Sequence, residues 1–475
     1  MRWRPAAWNL VTLWACAALV GLRVRAWQLG GREALGWQDT TDYVTSSRAP
    51  LLSLELWAGL RTPAIPILFK ITGGDGQNAM ALQAIVAALC WAALAAAVAA
   101  ALPEGWRRWA AAALVVGVSL TSRTTMFDQS LLSESLALAF LALTTAAAIT
   151  LARQVTPWRA AGLVVAAAMW VAVRDTPAVA LVAGAAVLGV VLLVARPHPP
   201  GRVQVLGMTM TGLVLVAGLT MLAADHGGRD RLPLEHVFAV RILPYSDRLD
   251  WFADHGMPQA DEIEALGPAA PVIPGGPLLR SVPDPVTDPD FAPWHDWIRS
   301  RGRGTYLRWL ATHPGYVLTE PQKDPERSYN NAEGDLTFYR APDFRHVPLI
   351  GILSIPTAWM VPIGLLLAAA ALWFGRYRSP LTLAAIAMPH GLMAWHSDGM
   401  EVARHLVVPG MQLRLAVVLL AAALLDRERS QGLPATGAMG TVTENTLAPI
   451  EHVDNVDDDD QNSGSRRQVL DTSEA

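Results

Sequence analysis

Ala79-Met-Ala-Leu-Gln-Ala-Ile-Val-Ala-Ala-Leu-Cys-Trp-Ala-Ala-Leu-Ala-Ala-Ala-Val-Ala-Ala-Ala-Leu102 runs 24 residues without a charged side chain. A helix rising 1.5 Å per residue needs about 20 such residues to cross roughly 30 Å of hydrocarbon. This stretch therefore sets the class of fold: a helix that meets lipid. Similar apolar segments lie at 8–27, 106–122, 131–151, 158–173, 176–195, 203–223, 347–375, 380–395 and 402–425. Those at 106–122 and 380–395 are near the minimum length, which suits a tilted or re-entrant helix as well as a crossing. Counted as crossings, the segments predict an all-α polytopic membrane protein with about ten transmembrane helices.

Composition agrees. The chain has 475 residues, of which 52% are hydrophobic and only 16% charged, and its mean hydropathy is +0.29. Soluble domains average about 25% charged residues. A formal net charge of −4, with no basic stripe interleaved with aromatics, excludes nucleic acid as an expected partner. Two cysteines, Cys16 and Cys90, both inside apolar segments, exclude a disulfide framework and read as small buried side chains. The N-terminus has the charge and apolar run of a signal peptide, but Arg23, Arg25 and Trp27 stand where small cleavage-site residues belong. It reads as a retained anchor.

Arginines near segment ends set the orientation, because cytoplasmic loops carry the excess positive charge. Arg2 and Arg4, Arg107 and Arg108, Arg153 and Arg159, Arg196 and Arg202, Arg376 and Arg378, and Arg427 and Arg429 all fall on one side if every segment crosses. The expectation is a multi-pass plasma-membrane protein with both termini in the cytoplasm. It divides into a seven-helix module over 1–223, an extracytoplasmic α-containing cap over 224–346, a three-helix module over 347–425 and a disordered, acidic cytoplasmic tail over 426–475. The cap segment is too long for a structureless linker in a compact protein.

On this topology the outer face collects Asp39, Asp42, Arg61, Asp128, Glu134, Arg174, Asp175, Asp398, Glu401, Arg404 and His405. Each has an ordinary explanation. Asp39 and Asp42 suit a solvated loop, Arg61 a headgroup contact, and Glu134 a first-turn acid against a helix dipole. Asp175 or Thr176 suits an N-cap before Pro177. Glu401, Arg404 and His405, at spacings of three and four, share one helix face as an ion-pair cluster or an anion site. Residues 46–60 read as a short amphipathic helix in the interface, stopped by Pro63 and Pro66. His390, beside Pro389, reads as a satisfied polar residue at a kink. No phosphate-cradling Gly-rich loop, zinc-spaced Cys/His set or nucleophile elbow occurs.

The order of these features resembles the GT-C superfamily of polytopic glycosyltransferases, nearest its protein-mannosyltransferase and aminoarabinose-transferase branch. The resemblance rests on Asp39 four residues before Tyr43, Arg61-x-Pro63-x-x-Pro66, Leu132-Ser-Glu-Ser-Leu136, Arg174, and Arg404-His405. It covers 1–200 and 347–425. It implies transfer of a sugar from a polyprenyl-phosphate donor to an extracytoplasmic acceptor (glycan, lipid or protein), with inversion. A first-loop carboxylate, Asp39 or Asp42, would act as general base, since Thr40 stands where the family often places a second acid. Arg61, Arg174, Arg404 and His405 would meet the donor phosphate, with Asp128, Glu134, Asp175, Asp398 and Glu401 as supporting acids. No organic cofactor is implied, and a divalent metal stays open. The rival classes are a non-catalytic envelope scaffold derived from this fold, and a transporter or lipid flippase. The last is disfavoured by helix centres of Ala, Val and Leu without broken helices or a repeated half.

Overall fold

A computed structural model describes residues 17–19, 21–23, 38–102, 105–194, 199–229, 231–258, 292–324, 357–373, 378–399 and 402–425. Every regular element among the described residues is helical, and none is a strand. Three short helices, α1 (Gln38–Ser46), α2 (Leu54–Ala58) and α3 (Ala64–Ile71), precede the first long one, α4 (Gly76–Ala101). There follow α5 (Trp106–Ser119), α6 (Glu134–Arg153), α7 (Pro157–Val171), α8 (Pro177–Val194) and α9 (Pro200–Gly227). A group of shorter helices comes next: α10 (Arg231–Arg241), α11 (Ser246–Asp254), α12 (Ala292–Trp297), α13 (Arg303–Thr312) and α14 (Pro314–Lys323). The chain then returns through α15 (Thr357–Trp373), α16 (Arg378–His396) and α17 (Val402–Leu425).

Four described helices are long and apolar enough to cross a membrane: 76–101, 134–153, 200–227 and, within α17, 404–424. The segments 157–171, 177–190 and 360–370 are apolar but shorter. Each apolar segment expected from 79 onward overlaps a described helix, and residues 347–356 of the segment 347–375 lie outside the described residues. At 1.5 Å per residue, the 14 residues of α5 reach only about 21 Å. The expected first helix at 8–27 is described only at 17–19 and 21–23, both helical, and the tail from 426 lies outside the described residues.

Local chemistry sets several boundaries. Gly73 and Gly74 carry φ of 68° and 83°, which only glycine adopts without strain, and they turn the chain out of α3. Asp75 then caps α4, accepting from the backbone N–H groups of Gln77 at 2.8 Å and Asn78 at 3.2 Å. Thr156 caps α7 with Pro157 in its first turn. α4 packs on α5 and α6, α6 on α7, α7 on α9, α9 on α8, α8 on α16, and α16 on α17. α17 returns to α5 and α6, which closes the bundle. Ala84, Ala87 and Ala88 of α4 are buried to 0% exposure, and such small side chains let neighbouring backbones approach closely. Trp91, Trp170 and Leu415 belong to the same core.

The described part of 224–346 has its own core. Phe238 of α10 sits edge-on to Phe252 (4.9 Å between centroids) and Trp297 (5.5 Å). Arg248 forks onto Glu320 at 2.9 and 3.0 Å. The group is tied to the end of α16, where Arg241 donates to the carbonyl of Trp395 and His396 Nε2 lies 3.0 Å from Val317 O. Residues 259–291 and 325–346 lie outside the described set.

Candidate functional site

The site starts on α1. Thr40 Oγ1 donates to Leu131 O at 3.3 Å and Tyr43 is buried at 4% exposure, so this helix is fixed against the bundle. Asp39 and Asp42, three residues apart, therefore share one face. They stand on a helix, where the sequence suggested a loop. Its run of Thr, Val and Ser has low helix propensity, and tertiary contact supplies what propensity lacks.

Beyond α2 the chain doubles back and brings Arg61 to both acids. Its Nη2 is 2.7 Å from Asp39 Oδ1, and its Nε donates to Asp42 Oδ2 at 3.0 Å. The same guanidinium lies 5.6 Å from the Tyr43 ring centroid. Thr62 Oγ1 then donates to Val173 O at 2.7 Å, and Ala64 N to Ala172 O at 3.0 Å. These two bonds place the turn between α7 and α8 beside α1–α3, and with it Arg174.

Glu134, the first residue of α6, has 0% exposure. Its Oε1 lies 3.0 Å from Arg174 Nη1 and 2.9 Å from Arg404 Nε. Arg404 Nη2 in turn donates to Asp39 Oδ2 at 2.8 Å. The result is one alternating chain of charge, Asp42–Arg61–Asp39–Arg404–Glu134–Arg174, with three acids and three arginines. It runs from rim to interior: side-chain exposure is 40% at Asp42, 14% at Asp39 and 0% at Glu134. Buried charges survive only when paired and hydrogen-bonded, which explains why the signs alternate. Glu134 Oε2, also buried, has no hydrogen-bond partner among the described residues.

The field of this chain shows in its members. Burial works against ionisation of Asp39, but Arg404 and then Arg61 outweigh it and hold the carboxyl below the usual carboxylate range. Burial, reinforced by the negative charges of Asp39 and Glu134, pushes the Tyr43 phenol up to about 12. Tyr43 therefore stays protonated at neutral pH.

The remaining sequence candidates take other partners. Asp128 is paired with Arg23 at 2.7 Å and accepts from Ser135. Asp175 accepts from Arg229 at 2.9 Å. His405, next to Arg404 in the chain, has its Nε2 3.4 Å from Asp398 Oδ2, and His236 Nδ1 stands 3.8 Å from the other Asp398 oxygen. Glu401 lies outside the described residues. His390 Nδ1 is 2.7 Å from Gln412 Oε1 inside the bundle. Among the described residues no three His, Cys, Asp or Glu side chains gather as a metal would need.

Sequence reasoning missed Arg23, His236 and Arg229. Arg229 follows α9, where Gly228 closes the helix at φ 60°. Its Nε donates to Gly59 O at 2.7 Å and its Nη2 to Trp57 O at 2.9 Å, while Nη1 takes Asp175. The signal was an arginine just past an apolar helix, followed by Asp230 and Arg231, which reads equally as ordinary boundary charge. Comparison of the chain with protein-family models and with curated proteins finds no match.

Proposed function

We propose that this chain is a membrane glycosyltransferase that moves a sugar from a polyprenyl-phosphate donor to an extracytoplasmic acceptor. The reading adopts the ten-crossing topology, with cytoplasmic termini and 224–346 as an outer cap. Its main support is the position of Arg404, between Asp39 at 2.8 Å and Glu134 at 2.9 Å. Groups from the first loop, α6, the α7–α8 turn and α17 meet at the same end of the bundle, as the resemblance to GT-C transferases expects. A lipid-borne phosphate held between helices would have its reacting carbon at that level.

In this mechanism the carboxylate of Asp39 takes the proton of an acceptor hydroxyl or amine. The acceptor atom bonds to the anomeric carbon as the bond from that carbon to the phosphate oxygen breaks, with inversion. The electron pair leaves with the polyprenyl phosphate. A positioned base contributes typically 10²–10⁴-fold, and arginine forks suit the growing charge on the phosphate. Asp39 is bound by two arginines in this structure, so the donor phosphate has to compete for Arg404 or Arg61 and free the carboxylate as it binds. Asp42, nearer the rim and, among the described residues, ion-paired through Arg61, is the alternative base.

A second reading, a non-catalytic envelope protein, draws support from the same charge balance, since three acids and three arginines satisfy one another without a ligand. Purified wild type, Asp39→Asn and Asp42→Asn, each offered a panel of radiolabelled polyprenyl-phosphate sugars, separates the two. Transfer by wild type that falls at least a hundredfold in one variant, with gel-filtration profiles unchanged, supports the transferase. Equal transfer by all three rejects the base assignment, and none by wild type favours the scaffold.

A further inference from the structure

The segment 46–60 is not the single helix that its sequence suggests. It is a turn at Pro50–Leu52 followed by the five residues of α2. The turn and helix expose Leu51 (51%), Leu52 (97%), Leu54 (63%), Trp57 (48%) and Leu60 (57%). Five large apolar side chains on ten residues of one protrusion are far from the scattered exposure that surfaces ordinarily show.

Several polar groups of the same segment are satisfied from within the protein. Ser53 N and Oγ both donate to Pro50 O, at 3.0 and 2.8 Å, and Leu56 N donates to Ser53 Oγ at 3.3 Å. Trp57 Nε1 donates to Leu51 O at 2.7 Å. The carbonyls of Trp57 and Gly59 are taken by Arg229. Each such bond lowers the cost of moving the segment toward a medium poor in donors and acceptors.

Its position selects the medium. The segment packs on the end of α9, where a Cβ on Gly227 would collide with the carbonyls of Ala58 and Gly59. Of the apolar window of α9 only 28% is buried, with Val214 and Leu215 at mid-helix and Leu219 and Leu222 nearer this end exposed. The protrusion thus sits at the end of a membrane-length helix that leaves most of its apolar window uncovered. Arg48, exposed just before the segment, can reach headgroups, and the exposed Glu55 within α2 limits insertion to headgroup level.

We propose that residues 51–60 insert into the bilayer at its interface with Leu51 and Leu52 leading, clasped by Arg229 to the end of α9. The occupant of this surface is lipid. The proposal stands whether or not the chain transfers sugar.

The test uses the full chain with Cys16→Ser and Cys90→Ala, carrying Leu52→Cys or, as a control, Thr41→Cys, labelled with an NBD fluorophore. Each is reconstituted in phosphatidylcholine–phosphatidylglycerol vesicles with iodide available on both sides. The label at 52 is expected to emit to the blue of the label at 41 and to be quenched several-fold more by acyl-brominated lipid than by iodide, with the order reversed at 41. Quenching of the label at 52 chiefly by iodide overturns the proposal. So does protection from both quenchers, which would put a protein surface or a second copy there instead.

Discussion

Arg404 Nη2 donates to Asp39 Oδ2 at 2.8 Å across a separation of 365 residues, joining the last long helix to the first described one. The same guanidinium holds Glu134 at the start of α6. One side chain therefore fixes three elements at one end of the bundle, and its charge helps to hold the carboxyl of Asp39 below the usual carboxylate range. A structural role and a catalytic one make different demands on this pair, and variants separate them.

Asp39 and Arg404 should be energetically coupled. Side chains in one ion-pair network commonly show interaction energies of about 0.5–3 kcal/mol, and the low exposure of both partners, 14% and 6%, favours the upper part of that range. A double-mutant cycle with Asp39→Asn and Arg404→Gln, followed by denaturant unfolding in detergent, is expected to give about 1–3 kcal/mol. Strict additivity would show that the contact carries no stability.

Much of the bundle was legible in the chain because lipid enforces a simple rule of length and apolarity. The segments 79–102, 131–151 and 203–223 anticipate α4, α6 and α9 to within a few residues. The residues of the charge chain were legible too, since ionisable groups at helix ends stand out against Ala, Val and Leu. Their pairing was not. Nothing periodic links Asp39 to Arg404, or Arg174 to Glu134, because the contact is made by packing of distant helices. α1 escaped notice for a related reason: its helicity depends on Tyr43 and Thr40 meeting the bundle, a tertiary effect that local propensity does not register. His405 looked equivalent to its neighbour Arg404, yet adjacent positions on a helix point in different directions, and it turns to Asp398.

Glu134 holds two arginines at 0% exposure. Deleting its charge leaves both cations buried with less compensation, and breaking a buried pair typically costs about 3–5 kcal/mol. Glu134→Ala should lower stability by an amount of that order, and Glu134→Gln by clearly less, since the amide oxygen still accepts from one guanidinium. Thermal unfolding in detergent reads both. An alanine variant as stable as wild type would mean that Arg174 and Arg404 find other partners at no cost.

Arg229 makes three bonds to three separate groups, Gly59 O, Trp57 O and Asp175 Oδ1. Lysine has one compact donor head in place of a planar fork and cannot reproduce that spread. Arg229→Lys is therefore expected to speed amide hydrogen exchange across 54–60 and 173–176 nearly as much as Arg229→Ala, while exchange in α4 stays unchanged. Wild-type protection in the lysine variant would reduce Arg229 to a simple charge.

The depressed pKa of Asp39 has a definite consequence for pH. Its carboxyl ionises more readily in the folded protein than in the unfolded chain, where the value is about 3.9. Its stabilising contribution is fully present above that unfolded value and is lost as pH falls through the lower folded one. In the free enzyme the base of the proposed transfer is likewise ionised throughout the neutral range, so the acid limb of kcat/KM, which reports the enzyme before the donor displaces its arginines, should lie below pH about 4. A limb centred near pH about 6.5 that persists when Asp42 is replaced by Asn would identify a histidine as the titrating group and remove Asp39 from the proton transfer.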